Sequence, residues 1–123
     1  MAKGAQKAVD MINANGGVAG QKLKLEVFDD ACEPKQATLI ANQIVDRDIR
    51  FVAGHFCSSS SIPASMIYDE GGVIMVSPAS TSPILTESGL RSVFRICGRD
   101  DQQGLAAAAH IARHYRDANI AII

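Results

Sequence analysis

The spacing of apolar and polar positions changes several times along this chain, and each change marks an element. Residues 3–15 place Ala5, Ala8, Val9 and Ile12 at the i, i+3, i+4, i+7 spacing of a one-sided helix. Gly16 and Gly17 then supply the left-handed residue that commonly ends one. Residues 23–28 (LKLEVF) alternate, which predicts a strand with one wetter face near a sheet edge. Asp29, Asp30, Ala31 and Cys32 read as a loop. Pro34 opens a second helix, where its missing N–H costs nothing, and Ala37, Ile40, Ala41, Ile44 and Val45 form its buried stripe.

The short apolar run 51–54 (FVAG) predicts the next strand. Its helix runs from the serines at 58–61 to about Glu70, with Pro63 tolerated in the first turn and Ile62, Met66 and Ile67 expected inward. Residues 73–76 are continuously apolar, as in a strand covered on both faces. The stretch 77–83 (SPASTSP) is too rich in Ser, Thr and Pro to be anything but a loop, and a brief turn is expected around 85–88. Residues 93–96 predict a short strand. Asp100 caps a helix to about Arg116 with Leu105, Ala108, Ile111, Ala112 and Tyr115 inward, and 119–123 (NIAII) begin a last apolar strand.

The order α-β-α-β-α-β-β-α-β predicts a parallel sheet with helices on both faces. It opens without a strand and closes without a helix, so the expectation is a piece of a larger protein. The chain of 123 residues is 47% hydrophobic and 20% charged, with a net charge of −1. Those values fit one globular domain or part of one, and give no basic surface for nucleic acid. No apolar run reaches the roughly 20 residues that span a bilayer, and the first residues carry no signal-peptide pattern. The three cysteines, Cys32, Cys57 and Cys97, lack metal-ligand spacing and allow one disulfide with one thiol left over. No cofactor motif is found.

Candidate chemistry centres on residues 51–61 (FVAGHFCSSSS). A strand running through a tight turn into a serine-rich helix start presents free N–H donors, hydroxyls and the positive end of a helix dipole, which suit a carboxylate or phosphate. The same serines serve equally as an ordinary helix cap. His55 and Cys57 lie two apart and invite a nucleophile–base reading, but adjacent residues on an extended turn point in different directions and no third orienting group is evident, which argues against the pair. No G-x-S-x-G, Walker lysine or G-x-G-x-x-G pattern occurs. Asp29, Asp30 and Glu33 have the character of a cation site or, more commonly, of a solvated loop. The loops 56–61 and 77–82 follow two strands that point the same way, so both open at one end of the sheet, where together they can hold a small zwitterion.

Four stretches, DMINANGG (10–17), FDDACEPKQA (28–37), GHFCSSSS (54–61) and SPASTSP (77–83), occur in this order along nearly the whole chain. In them the chain resembles the leucine/isoleucine/valine-binding proteins of ABC importers, type I periplasmic solute-binding proteins. The resemblance implies an α/β fold: a three-layer, Rossmann-like (flavodoxin-like) lobe built on a parallel sheet. The first strand would be missing, residues 1–118 would form lobe one, and 119–123 would start the strand that opens lobe two. It also implies a Cys32–Cys57 disulfide with Cys97 free. Ligand contacts would come from Phe56, Cys57, Ser58, the Ala79 carbonyl and Thr81. Phe56 stands where the family commonly has leucine, which bears on the preferred side chain.

The implied function is capture of an aliphatic, branched-chain amino acid in the periplasm and delivery to a membrane permease, with no catalysis, cofactor or metal; half a site binds weakly or not at all. Two other readings are an amino-acid or amide sensor on the same fold and an α/β hydrolase-type enzyme using the serine turn. With the first strand absent, 119–123 are expected to fill the vacant slot, in their own chain or by exchange within a homodimer.

Overall fold

The computed structural model describes residues 1–121. Its elements are α1 (Ala2–Ala14), α2 (Pro34–Asp46), β1 (Phe51–Ala53), α3 (Ser58–Glu70), β2 (Ile74–Ser77), α4 (Ile84–Glu87), β3 (Val93–Arg95) and α5 (Asp100–His114). The strands form one parallel sheet in the order β1-β2-β3. In its register Val52 lies beside Met75 and Met75 beside Val93.

Because side chains alternate across a strand, that register sorts the sheet into two faces. Met75 and Val93 point into a core completed by Ala37, Ile40, Ala41 and Ile44 of α2, Ala64 and Tyr68 of α3, Val73 and Leu85. Phe51, Ile74 and Phe94 point the other way and remain 59%, 46% and 51% exposed. The parallel sheet with helices is as expected, and among the described residues one of its faces is open. The covered face belongs to the α2–α3 pair, whereas α1 and α5 bury no residue. Their apolar stripes, Ala5, Ala8, Val9 and Ile12 in one and Leu105, Ala108, Ile111 and Ala112 in the other, contain no buried residue.

The buried face of α3 also differs from its hydrophobic pattern. Ser60, Ser61, Ala64, Ser65 and Tyr68 are buried, Ile62 and Ile67 are half-buried, and Met66 is exposed. The reason is close approach: α3 packs along α2 through small side chains. The turn after α3 is equally tight, for a Cβ at Gly71 would come within 2.6 Å of Val45 Cγ2.

Among the described residues, two of the expected strands do not join the sheet. Residues 23–28 run without a ladder partner, anchored at one end by the Asn13 amide, which donates to the Leu23 carbonyl (2.8 Å) and accepts from the Leu23 N–H (2.7 Å). Between this segment and β1 lies a cleft of about 950 Å³, lined by Val9, Ile12, Val27, Phe28, Val52 and Tyr68 among others. Strand geometry requires a neighbour on the hydrogen-bonding edge, and here the neighbouring position is open. Residues 119–121 form no strand and are exposed, so they do not fill the cleft within their own chain; Ile122 and Ile123 lie outside the described residues.

Candidate functional site

The site is built where β1 and β2 end. After β1 the chain turns through Gly54–Cys57 into α3, whose N-cap is Cys57. The Cys57 carbonyl accepts the N–H groups of Ser60 (3.1 Å) and Ser61 (2.9 Å). Among the described residues the N–H groups of Ser58 and Ser59 have no backbone acceptor, so the helix presents free donors and its positive end to the mouth of the lobe. After β2, residues 77–83 form the second loop.

Serine side chains fasten the two loops together. Ser77 Oγ donates to the His55 carbonyl (2.9 Å) and accepts the Ser80 N–H (3.0 Å). Ser80 Oγ donates to the Phe56 carbonyl (3.1 Å) and meets Ser61 Oγ at 2.6 Å. The Ser82 N–H donates to Ser58 Oγ at 3.3 Å. Ser58 and Thr81 are thereby brought to one mouth, each half-buried, with Ala79 half-buried beside them and Phe56 60% exposed at the rim. A depression of about 320 Å³ next to Thr81 is walled by Gly98, Arg99, Gln102 and Gln103.

Two supports under these loops were not evident in the sequence. Arg95, at the end of β3, donates from Nη1 to the carbonyls of Ser80 (3.3 Å) and Ser82 (2.7 Å) and from Nη2 to Thr86 Oγ1 (2.8 Å), fixing the second loop by its backbone. The other support is a buried chain of side chains. His55 Nδ1 lies 2.5 Å from Asp30 Oδ2, and its Nε2 lies 3.0 Å from Tyr68 Oη. Burial alone would raise the Asp30 carboxyl. The Cys32 N–H and the His55 ring outweigh it and hold the group below its ordinary value. Burial, helped by the Asp30 charge, pushes the Tyr68 phenol well up. Asp30 is thus an acceptor and Tyr68 an available donor, which assigns the proton on His55 to Nδ1 and leaves Nε2 to accept when the ring is neutral. Only the position of Tyr68 among Ser61, Ala64 and Ser65 on one helical face hinted that it turns inward.

Cys32 and Cys57 are joined by a disulfide with a Cα–Cα separation of 5.5 Å, and Cys97 is free, its thiol 3.4 Å from the Ser80 carbonyl. With Cys57 in a disulfide and the His55 ring engaged on both nitrogens, no Cys–His nucleophile exists here. Asp30 is likewise committed to His55 and the Cys32 N–H rather than standing free for a cation. Among the described residues no group of three or more His, Cys, Asp or Glu is placed to hold a metal ion.

A parallel α/β lobe whose strand ends carry two fastened loops of hydroxyls and free N–H groups has the architecture of a solute-binding fold. The chain belongs to the periplasmic binding protein family, whose sequence profile matches residues 1–123. It is 53% identical over 122 residues to an amino acid binding protein of Pseudomonas aeruginosa, covering 98% of this chain and 33% of that protein. It is 47% identical over 120 residues to the Leu/Ile/Val-binding protein of Escherichia coli, again 98% and 33%. Among solved structures it is similar to an ABC transporter substrate-binding protein of Desulfitobacterium hafniense in complex with Leu, with a TM-score of 0.88 and 43% identity over 93% of this chain and 34% of that one. The chain thus spans about a third of the length of these relatives.

Proposed function

We propose that this chain supplies one lobe's share of an amino-acid site in a solute-binding protein that serves an ABC importer in the periplasm. The observation that carries the reading is the Ser82–Ser58 hydrogen bond, which supports a shared mouth for Ser58 and Thr81 beside the free N–H groups of α3. The ligand carboxylate takes those N–H donors and the two hydroxyls. The Ala79 carbonyl accepts from the ammonium, and Phe56 and Cys57 meet the aliphatic side chain. Nothing at the site activates a nucleophile, so the ligand is held unreacted and passed to a membrane permease.

In this reading residues 1–118 are lobe one and 119–123 lead toward a second lobe. One lobe leaves most of the ligand uncovered, so the chain alone binds weakly or not at all, and tight binding requires the closing half. The open cleft beside β1 supports pairing with the apolar tail of a second copy, which would make the isolated chain a strand-exchanged homodimer.

Calorimetric titration of the two-lobed protein with leucine, isoleucine, valine and glutamate tests the reading. Saturable binding of the aliphatic amino acids without turnover is expected. Ser58→Ala and Thr81→Ala should each lose about 1.5–3 kcal/mol of affinity, the usual cost of one hydrogen bond to a charged group. Unchanged affinity in both variants, or conversion of the ligand, would sink it.

A further inference from the structure

The loop carrying Asp30 and Cys32 and the turn carrying His55 and Cys57 are joined twice, residue for residue. One rung is the Cys32–Cys57 disulfide; the other, two residues earlier on both strands of chain, is the contact between Asp30 Oδ2 and His55 Nδ1. The second rung goes further than the first. The other ring nitrogen reaches Tyr68 Oη on α3, the helix whose first turn supplies Ser58, and the His55 carbonyl accepts the Ser77 hydroxyl from the second loop. His55 is therefore a junction of four pieces of chain, and it sits immediately before Phe56, Cys57 and Ser58. We propose that Asp30, His55 and Tyr68 are positioning residues of the amino-acid site: a non-covalent rung that holds the turn 56–58 in its binding geometry when the disulfide is open as well as when it is closed. This rests on the function proposed above.

The alternative role, filling the core, does not account for the chemistry. His55 is 8% exposed and Tyr68 fully buried, and apolar side chains of that size would fill the same space without desolvating a carboxylate beside them. A buried polar contact of this kind contributes little net stability relative to such a replacement. What it contributes is direction, because each ring nitrogen meets one partner along one line. Neither ring nitrogen nor the phenol is left without a partner, as a network that specifies geometry requires. Ser60 Oγ, fully buried nearby with no partner at hydrogen-bond distance, still helps hold the Asp30 carboxyl below its ordinary value.

The test is a double-mutant cycle on the full chain, without ligand, read by amide hydrogen exchange. Asp30→Asn keeps the shape of the carboxylate, Tyr68→Phe removes only the hydroxyl, and Cys32→Ser with Cys57→Ser opens the other rung. Alone, Asp30→Asn or Tyr68→Phe should raise exchange at Phe56, Cys57 and Ser58 a few-fold. In the disulfide-free background each should raise it by about tenfold more than that, while Ile40 and Ile44 of α2 keep their protection. Nitrogen NMR should find the Nδ1-protonated ring in the parent and its loss in Asp30→Asn. Additive effects, or core amides that move together with the turn, would overturn the proposal. If Asp30→Asn does not fold, Tyr68→Phe carries the cycle. Leucine titration of the two-lobed protein is the separate arm: coupled exchange without leucine binding defeats the functional reading and keeps the rung, and leucine binding with additive exchange does the reverse.

Discussion

The hydroxyls of Ser61 and Ser80 meet at 2.6 Å with both residues buried, and only one of the two has another partner. Ser80 Oγ donates to the Phe56 carbonyl, so the shared proton belongs to Ser61, and the two substitutions are not equivalent. Ser61→Ala removes one donor and leaves Ser80 bonded. Ser80→Ala leaves both the Ser61 hydroxyl and the Phe56 carbonyl without Ser80. A buried group left unpaired costs about 1–3 kcal/mol. Ser80→Ala should therefore lower the unfolding free energy by about 1–3 kcal/mol more than Ser61→Ala, measured by urea denaturation of each variant. Equal losses would show that the loop relaxes to re-pair its groups.

The disulfide closes a loop of 25 residues of sequence separation. In the chain-entropy model that cross-link is worth about 3.5 kcal/mol. Peptide mapping of protein made in an oxidising compartment should recover Cys32 linked to Cys57 and Cys97 alkylated. Reduction should lower the unfolding free energy by about that amount. Cys97 found paired within the chain would refute the assignment.

Acid and alkali act on the same buried chain from opposite ends. The Asp30 carboxyl titrates below its ordinary value in the folded protein. Its stabilisation is therefore complete above about pH 4–5 and is lost as pH falls through the depressed folded value. Asp69, whose carboxylate accepts from Ser92 Oγ (2.6 Å) and the Ser92 N–H (3.0 Å), is also depressed and adds a contribution of the same sign. Tyr68 is raised, so its contribution is complete below about pH 10 and is lost as pH climbs toward the folded value. Denaturation at a series of pH values should show Asp30→Asn approaching the parent protein in stability below about pH 4. Tyr68→Phe should flatten the decline above about pH 10. A constant gap across the acid range would exclude the Asp30 assignment.

Light scattering of the isolated chain checks the proposed strand exchange. A dimer is expected, and removal of residues 119–123 should leave a monomer that aggregates, because the edge of β1 is then uncovered. A truncated chain that stays monomeric and equally stable would rule the exchange out.

How much of this was legible depended on how local each cause is. Helix α2 was legible because its stripe Ala37, Ile40, Ala41, Ile44 is both periodic and matched by a surface to bury against. The start of α3 at Ser58 was legible from the serine run, although the N-cap is Cys57 and no side chain caps the helix. The pairing of 23–28 was not legible, because a strand's alternation states a preference while its ladder needs a neighbour. The inner face of α3 misled for a different reason: Ile62, Met66 and Ile67 carry the hydrophobic signal, but the buried face is made of Ser60, Ser61, Ala64, Ser65 and Tyr68. At the site, the sharing of one mouth by loops 56–61 and 77–82 follows from parallel strands alone. The Asp30–His55–Tyr68 chain joins residues 25 and 13 positions apart and leaves no periodic trace.

Helices α1 and α5 bury nothing, and this divides the molecule into parts of unequal cooperativity. Helices of 13 and 15 residues are marginal in water without tertiary contact. The cooperative unit is accordingly the stretch from α2 to β3, and the two ends melt as local helix–coil equilibria ahead of it. One of those ends touches the site: the Asp100 N–H, at the start of α5, donates to the Thr81 carbonyl at 3.1 Å. Each time the first turn of α5 frays, that carbonyl is released beside the Thr81 hydroxyl, so the helix–coil constant of a solvent-exposed helix would become a term in the occupancy of the proposed amino-acid site.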